Sequence, residues 1–152
     1  MKHNKTMPIV ISLFVAFSAT TAAQTLTEAG GLNRDAPEVG NWEAFSRTAY
    51  SITGDISVSK QGIRFENGEQ LEWREIERTQ LGVRYAVETT HNPTLINGNT
   101  MCGNPSIKEV VFQGYQGLLF MKVSEQAGGL HMTSDPFDST AMCGLYTYSA
   151  KP

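Results

Sequence analysis

From Trp42 onward, apolar and polar positions alternate with a period of two. Ile56 and Val58 alternate with Ser57 and Ser59, Ile63 and Phe65 with Arg64 and Glu66, and Leu71 and Trp73 with Glu72 and Arg74; Val83, Tyr85 and Val87 alternate with Arg84, Ala86 and Glu88. A strand with one buried face produces this pattern. Turn residues punctuate the runs at Gly54-Asp55, Lys60-Gln61-Gly62 and Asn67-Gly68. The last pair predicts a type I′ hairpin, since both residues tolerate positive φ. Ile56 to Trp73 thus reads as a three-stranded meander. The stretch LEWREIERTQL, Leu71 to Leu81, also contains good helix formers, and Trp73, Ile76 and Gln80 would share a helical face. Strand is the preferred reading there, with a short helix after Trp73 as the alternative.

Farther along, Ile107–Phe112 and Leu118–Val123 are compact apolar runs around Gln113-Gly114-Tyr115-Gln116-Gly117, the pattern of a hairpin whose strands are buried on both faces. Residues 124–141 read as loop. Cys143 to Tyr148 alternates again as a terminal strand, with Cys143, Leu145 and Thr147 on one face and Gly144, Tyr146 and Tyr148 on the other. About eight strands at spacings near ten residues predict an all-β fold, a small antiparallel β-barrel or sandwich. A barrel is favoured because closure removes exposed strand edges.

The N-terminus differs in kind. Lys2 and Lys5 precede the apolar run MPIVISLFVAFSA, and Thr21-Ala22-Ala23 supplies small residues, so 1–23 reads as a cleavable signal peptide. Residues 24–41, rich in Gly, Pro, Asn and charge, read as a flexible arm, and 42–152 as a single β domain. No later run approaches the roughly 20 apolar residues of a membrane helix. The expected location is the periplasm, or release from the cell.

The chain carries 12 basic and 15 acidic residues. Loss of Lys2 and Lys5 with the leader leaves ten basic residues, a formal charge of −5 for the mature chain. That balance argues against nucleic acid or anionic lipid as partner and suits a basic periplasmic or extracellular protein. The two cysteines, Cys102 and Cys143, are expected to pair in an oxidising compartment. Closing a loop of about 42 residues contributes at most about 4 kcal/mol on the chain-entropy account, against a typical domain stability of about 5–15 kcal/mol.

Candidate chemistry is sparse. The loop Asn92–Pro105 holds Asn92, Asn97, Asn99 and Asn104 with two glycines and two prolines. Asn and Gly permit left-handed backbone, and Asn amides satisfy backbone groups locally, so this loop is expected to be rigid and to be pinned by the disulfide to the last strand. Asn97, Asn99 and Asn104, joined by Tyr146 and Tyr148 should their strand face point outward, form the candidate contact surface. The plainer reading is that the asparagines only build turns and the aromatics only fill the core. His91 and His131 lack the partners and spacing of a metal site. No Gly-x-Ser-x-Gly elbow surrounds a serine, and no Gly-rich phosphate loop joins a strand to a helix. Glu69, Glu72, Glu75 and Glu77 with Arg74 and Arg78 read as a solvated, self-paired face. No catalytic residue, metal or cofactor is assigned.

The motifs SITGDI (51–56), IRFENG (63–68), NPTLINGNTMCG (92–103) and CGLYTY (143–148) together resemble a group of small uncharacterised exported proteins of Gram-negative bacteria. That resemblance implies a periplasmic location and paired cysteines, and it brings no activity and no catalytic residues. Size, leader, single bridge and β content are also similar, in architecture alone, to periplasmic inhibitors of lysozyme and of secreted proteases. The function expected is therefore a non-catalytic binding module, in concrete form an inhibitor of a lysozyme or another envelope enzyme. A small envelope hydrolase and a lipocalin-like small-molecule carrier are the alternatives.

Overall fold

The computed structural model describes residues 36–103, 106–138 and 141–151. The expected signal peptide, most of the expected arm, and Asn104 lie outside these residues. Eight antiparallel strands run in sequence order and close on themselves: β1 (Gly40–Ala44), β2 (Ile56–Val58), β3 (Gly62–Phe65), β4 (Gln70–Thr79), β5 (Gly82–Val87), β6 (Glu109–Tyr115), β7 (Leu118–Ser124) and β8 (Gly144–Ala150). β8 pairs with β1 through Trp42↔Ala150 and Ala44↔Tyr148, so the barrel has no free edge. The barrel is the realised one of the two β architectures that the alternation allowed.

The alternation sets the register. Trp42, Ile56, Val58, Ile63, Phe65, Leu71, Trp73, Val83, Tyr85, Phe112, Met121, Tyr146 and Tyr148 all point inward and merge into one buried cluster. Trp73 stacks on Tyr85 with ring centroids 4.8 Å apart, and Phe112 meets both edge-on. Such aromatic contacts stabilise by about 0.5–1.5 kcal/mol each beyond their buried area. Side chains fill the barrel interior.

The stretch 71–81 is strand as far as Thr79 and turn at Gln80-Leu81, with no helix. β4 pairs with β5 through a β-bulge between Glu75 and Glu77, which lets a ten-residue strand bend around the barrel while Ile76 turns outward. The type I′ turn falls elsewhere than at Asn67-Gly68. There Gly68 alone has positive φ, 90°, and the Gly68 N–H donates to Phe65 O while Phe65 N–H donates to Glu69 O. This is a three-residue loop with a glycine bulge. The two-residue turn with both residues left-handed is Gln116-Gly117, φ 51° and 79°, and β6 and β7 continue to its edge through Gln113, Gly114 and Tyr115.

Each mouth of the barrel is covered. At one, the last part of the expected arm is ordered: Ala36 and Glu38 are buried, and β1 begins at Gly40. The reason is an ion pair. Arg78 Nη1 and Nη2 donate to the two Glu38 carboxylate oxygens at 3.2 and 2.8 Å, Tyr85 OH donates to the same carboxylate at 2.6 Å, and Trp42 Nε1 donates to Glu38 O at 2.8 Å. Arg78 also binds Glu75. The expectation that the acidic and basic side chains of β4 are simply a solvated face therefore fails at Arg78. At the other mouth, a π-helical turn, Ala49–Thr53, and the loop before β6 close the barrel.

Candidate functional site

The second mouth is where the sequence placed its candidate surface. Between β1 and β2 the alternation stops at Phe45-Ser46-Arg47-Thr48, and the chain makes the π-helical turn, closed by Gly54 N–H donating to Ala49 O at 2.8 Å. Gly54, at φ 62°, carries the chain out of the turn where a side chain would collide with Glu66 and Ile96. Against this turn packs a short 3₁₀ turn, Ile96–Gly98, within the 92–105 loop.

Two tyrosines hold the cover from inside. Tyr148 OH and Thr53 Oγ1 lie 2.8 Å apart, and Tyr146 OH donates to Met101 O at 2.6 Å. Both rings are buried, so Tyr146 and Tyr148 belong to the core and not to a contact surface. The physical reason is that β8 presents its Gly144–Tyr146–Tyr148 face inward, where Gly144 has no room for a side chain against Met101 O and Tyr146. Burial raises both phenol pKa values well above the ordinary range and keeps the hydroxyls neutral, as hydrogen-bonding groups require here.

Cys102 and Cys143 form the disulfide, with Cα atoms 5.4 Å apart, and the bridge ties the loop to the start of β8. The asparagine amides mostly bind backbone. Asn99 Nδ2 donates to Ser51 O at 3.0 Å, joining the 3₁₀ turn to the π turn; Asn92 Nδ2 donates to Gly103 O at 2.8 Å, and Asn67 Nδ2 to Thr94 O at 2.8 Å. Asn97 is exposed, with φ 57°, a conformation asparagine tolerates. The described part of the loop is thus held by turns and by amide-to-backbone hydrogen bonds.

The π turn brings together what the sequence reading missed. Phe45, immediately before it, is 57% exposed, and Tyr50 on it is 60% exposed. They flank the segment whose Ser51 carbonyl holds Asn99. The signal that could have found them is their position in the one inter-strand segment of the first half where aromatics fall outside the alternation. The resulting end of the barrel presents Asn97 on the 3₁₀ turn, Tyr50 on the π turn and Phe45 just before it as exposed side chains, with Asn99 tying the two turns together.

The remaining polar clusters of the described residues serve the scaffold. Burial raises the Glu38 carboxyl, but the hydrogen bonds from Arg78 and Tyr85 outweigh it and hold the group below its ordinary value. Asp55 is held low by the Ala44 N–H and by Lys151. Lys122, fully buried on the outer wall, is lowered by desolvation against the opposing pull of Asp138 and Asp135. The depression beside Glu38 and Arg78 is about 190 Å³ with the β4–β5 turn as its rim, and Asp55 and Lys151 border one of about 350 Å³. Glu69, Glu72, Glu88 and His91 line a shallow open groove. Compared with protein families, characterised proteins and solved structures, the chain matches none.

Proposed function

We propose that this protein is an exported, non-catalytic binding module of the periplasm that acts through the end face around Tyr50, in concrete form an inhibitor of a basic envelope enzyme such as a lysozyme. The observation that carries the reading is the pair of exposed aromatics, Phe45 and Tyr50, on a mouth fixed by a disulfide, two interior tyrosines and Asn99. A face that is rigid before contact loses little entropy on docking, and exposed aromatic anchors dominate protein interfaces. The net acidity of the mature chain favours a basic partner. The packed interior speaks against a lipocalin-like carrier, which needs a hollow barrel. Outward positions such as Glu43, Ser57, Arg64, Glu72 and Arg74 suit water better than lipid.

The test is inhibition of a panel of lysozymes and periplasmic proteases by the oxidised mature protein. Inhibition that Tyr50→Ser weakens at least about tenfold, a loss of about 1.4 kcal/mol, supports the reading. No inhibition at micromolar excess overturns its inhibitor form.

A further inference from the structure

In the connection between β7 and β8, residues 125–138 and 141–142 fold back as a strap over the outer wall of β5, β6 and β7. The polar groups of the wall hold it by its main chain, and Leu130 is buried beneath it. Glu109 accepts from Gly128 N–H and Leu130 N–H at 2.6 and 3.2 Å, Gln113 Nε2 donates to Thr133 O at 2.7 Å, and Ser124 Oγ donates to Ala141 O at 2.8 Å. Lys122 Nζ donates to His131 O at 3.2 Å and Asp138 O at 3.4 Å. These four wall residues are themselves buried. Desolvating a lysine and a glutamate is costly, and the return is an immobile backbone.

Leu130 and Pro136 of the strap are buried against the wall, while His131, Ser134, Asp135, Phe137 and Asp138 face outward. At its tip, Asp135 Oδ1 accepts from Phe137 N–H at 2.8 Å and Asp138 N–H donates to Asp135 O at 3.2 Å, with Pro136 between them. This fixed turn lifts Phe137, which is 60% exposed. Phe137 meets Phe120 edge-on at 5.4 Å, and Phe120 meets the half-exposed Tyr115 at 6.3 Å. Asp135 and Asp138 flank the ring, and among the described residues neither carboxylate has a cationic side chain in ion-pair contact.

We infer that the strap tip is a second recognition surface, on which Phe137 enters an apolar pocket of a basic protein while Asp135 and Asp138 meet the lysine or arginine side chains around it. An aromatic patch of neighbouring rings is the kind of exposed surface that marks an interface, and exposed carboxylates beside it with no cation at ion-pair distance select a cationic rim. Fixing the turn beforehand removes most of the ordering cost. The inference rests on the binding-module reading but uses a different face, so the two can fail separately.

The experiment places the photo-crosslinking residue p-benzoylphenylalanine at 137, at 50, or at Lys60 on the exposed β2–β3 turn, in the full chain expressed in the cells that make it. The expected result is one discrete light-dependent adduct from position 137, none from 60, a partner shown by mass spectrometry to be basic, and at least a fivefold lower yield when Asp135→Asn and Asp138→Asn are added. Unchanged melting of the labelled and substituted proteins shows that the wall and strap are intact. No adduct at 137, equal adducts at 137 and 60, an acidic partner, or a yield indifferent to the two substitutions overturns the inference. An adduct at 50 alone overturns it while sparing the end face. An adduct at 137 alone supports it and removes the end face from the reading.

Discussion

Replacing Arg78 with alanine should unfold this protein at a markedly lower temperature, because it strands a buried carboxylate. Glu38 is 1% exposed and receives three hydrogen bonds, two from Arg78 and one from Tyr85. Breaking one side of a buried pair costs about 3–5 kcal/mol, most of it the penalty of the charge left behind. Arg78 itself keeps 27% of its side-chain surface, so water can follow the vacated space, and the lower end, about 3 kcal/mol, is the better figure. For a domain of this length each kcal/mol moves the midpoint by about 3–5 °C, which gives a fall of about 9–15 °C at neutral pH. Circular dichroism melts or calorimetry read this directly. Adding Glu38→Gln to the Arg78→Ala protein removes the stranded charge and should recover part of the loss, with a coupling of at least about 1 kcal/mol in the double-mutant cycle. A midpoint within about 2 °C of wild type for Arg78→Ala, or a cycle without coupling, refutes the account of how the first mouth is closed.

Glu38, the disulfide and Lys122 each give a further measurable outcome. The Glu38 carboxyl has a folded pKa below its ordinary 4.5, so the unfolded chain takes up the proton more readily; its contribution is complete above that value and lost as pH falls through the folded pKa. The stability difference between wild type and Glu38→Gln, from urea unfolding, should be flat from about pH 5.5 to 8 and should shrink below about pH 4.5; a difference that grows on acidification contradicts the sign. Cys102→Ser removes the bridge between the 92–105 loop and β8 and should cost about 2–4 kcal/mol, with Cys143, exposed at the surface, giving disulfide-linked dimers on non-reducing gels; an unchanged melting temperature would remove the tether from the argument. Lys122→Met keeps the apolar stem but releases the carbonyls of His131 and Asp138, so amide exchange and proteolysis should quicken across the strap while β1–β5 remain protected; uniform loosening of the whole barrel would mean that the strap is not a separate unit.

The strands were legible because each has one face that must be buried, and a period of two encodes that requirement directly. Even the ambiguous 71–81 stretch fits it: Leu71 and Trp73 point in, and the bulge at Glu75/Glu77 breaks the alternation where Ile76 suggested a helical face. Which face is inward is a different matter. On β8 the two faces are Cys143, Leu145, Thr147 and Gly144, Tyr146, Tyr148, and neither is purely apolar. What decides is tertiary: the tyrosine hydroxyls find Met101 O and Thr53 within the barrel end. The turn at Asn67-Gly68 was misassigned for a related reason. A left-handed glycine occurs both in a two-residue I′ turn and in a three-residue loop with a bulge, and strand pairing chooses between them.

The contacts that position both candidate surfaces share a property that hides them from sequence. Glu109, Gln113, Lys122 and Ser124 hold the strap by its N–H and C=O groups, as Asn99 holds the π turn through Ser51 O. Every residue offers a C=O and every residue but proline an N–H, so the segment being held needs no complementary pattern of side chains. Only the holding side leaves a trace: polar residues such as Glu109 and Lys122 at the ends and middle of otherwise apolar runs, on strands whose second face must also be covered. The strand EVVFQGY has both faces buried through Gln113, which requires something on its outer side, and among the described residues the segment 125–138, following β7, supplies that cover. Main-chain clamping leaves the tip side chains lightly engaged: among the described residues Asp135 holds only its own turn, Phe137 meets only the edge of Phe120, and both stay exposed with Asp138. An aromatic ring kept exposed at such a position, on a backbone that buried charges are spent to immobilise, is better explained by what it touches outside the molecule than by anything within it.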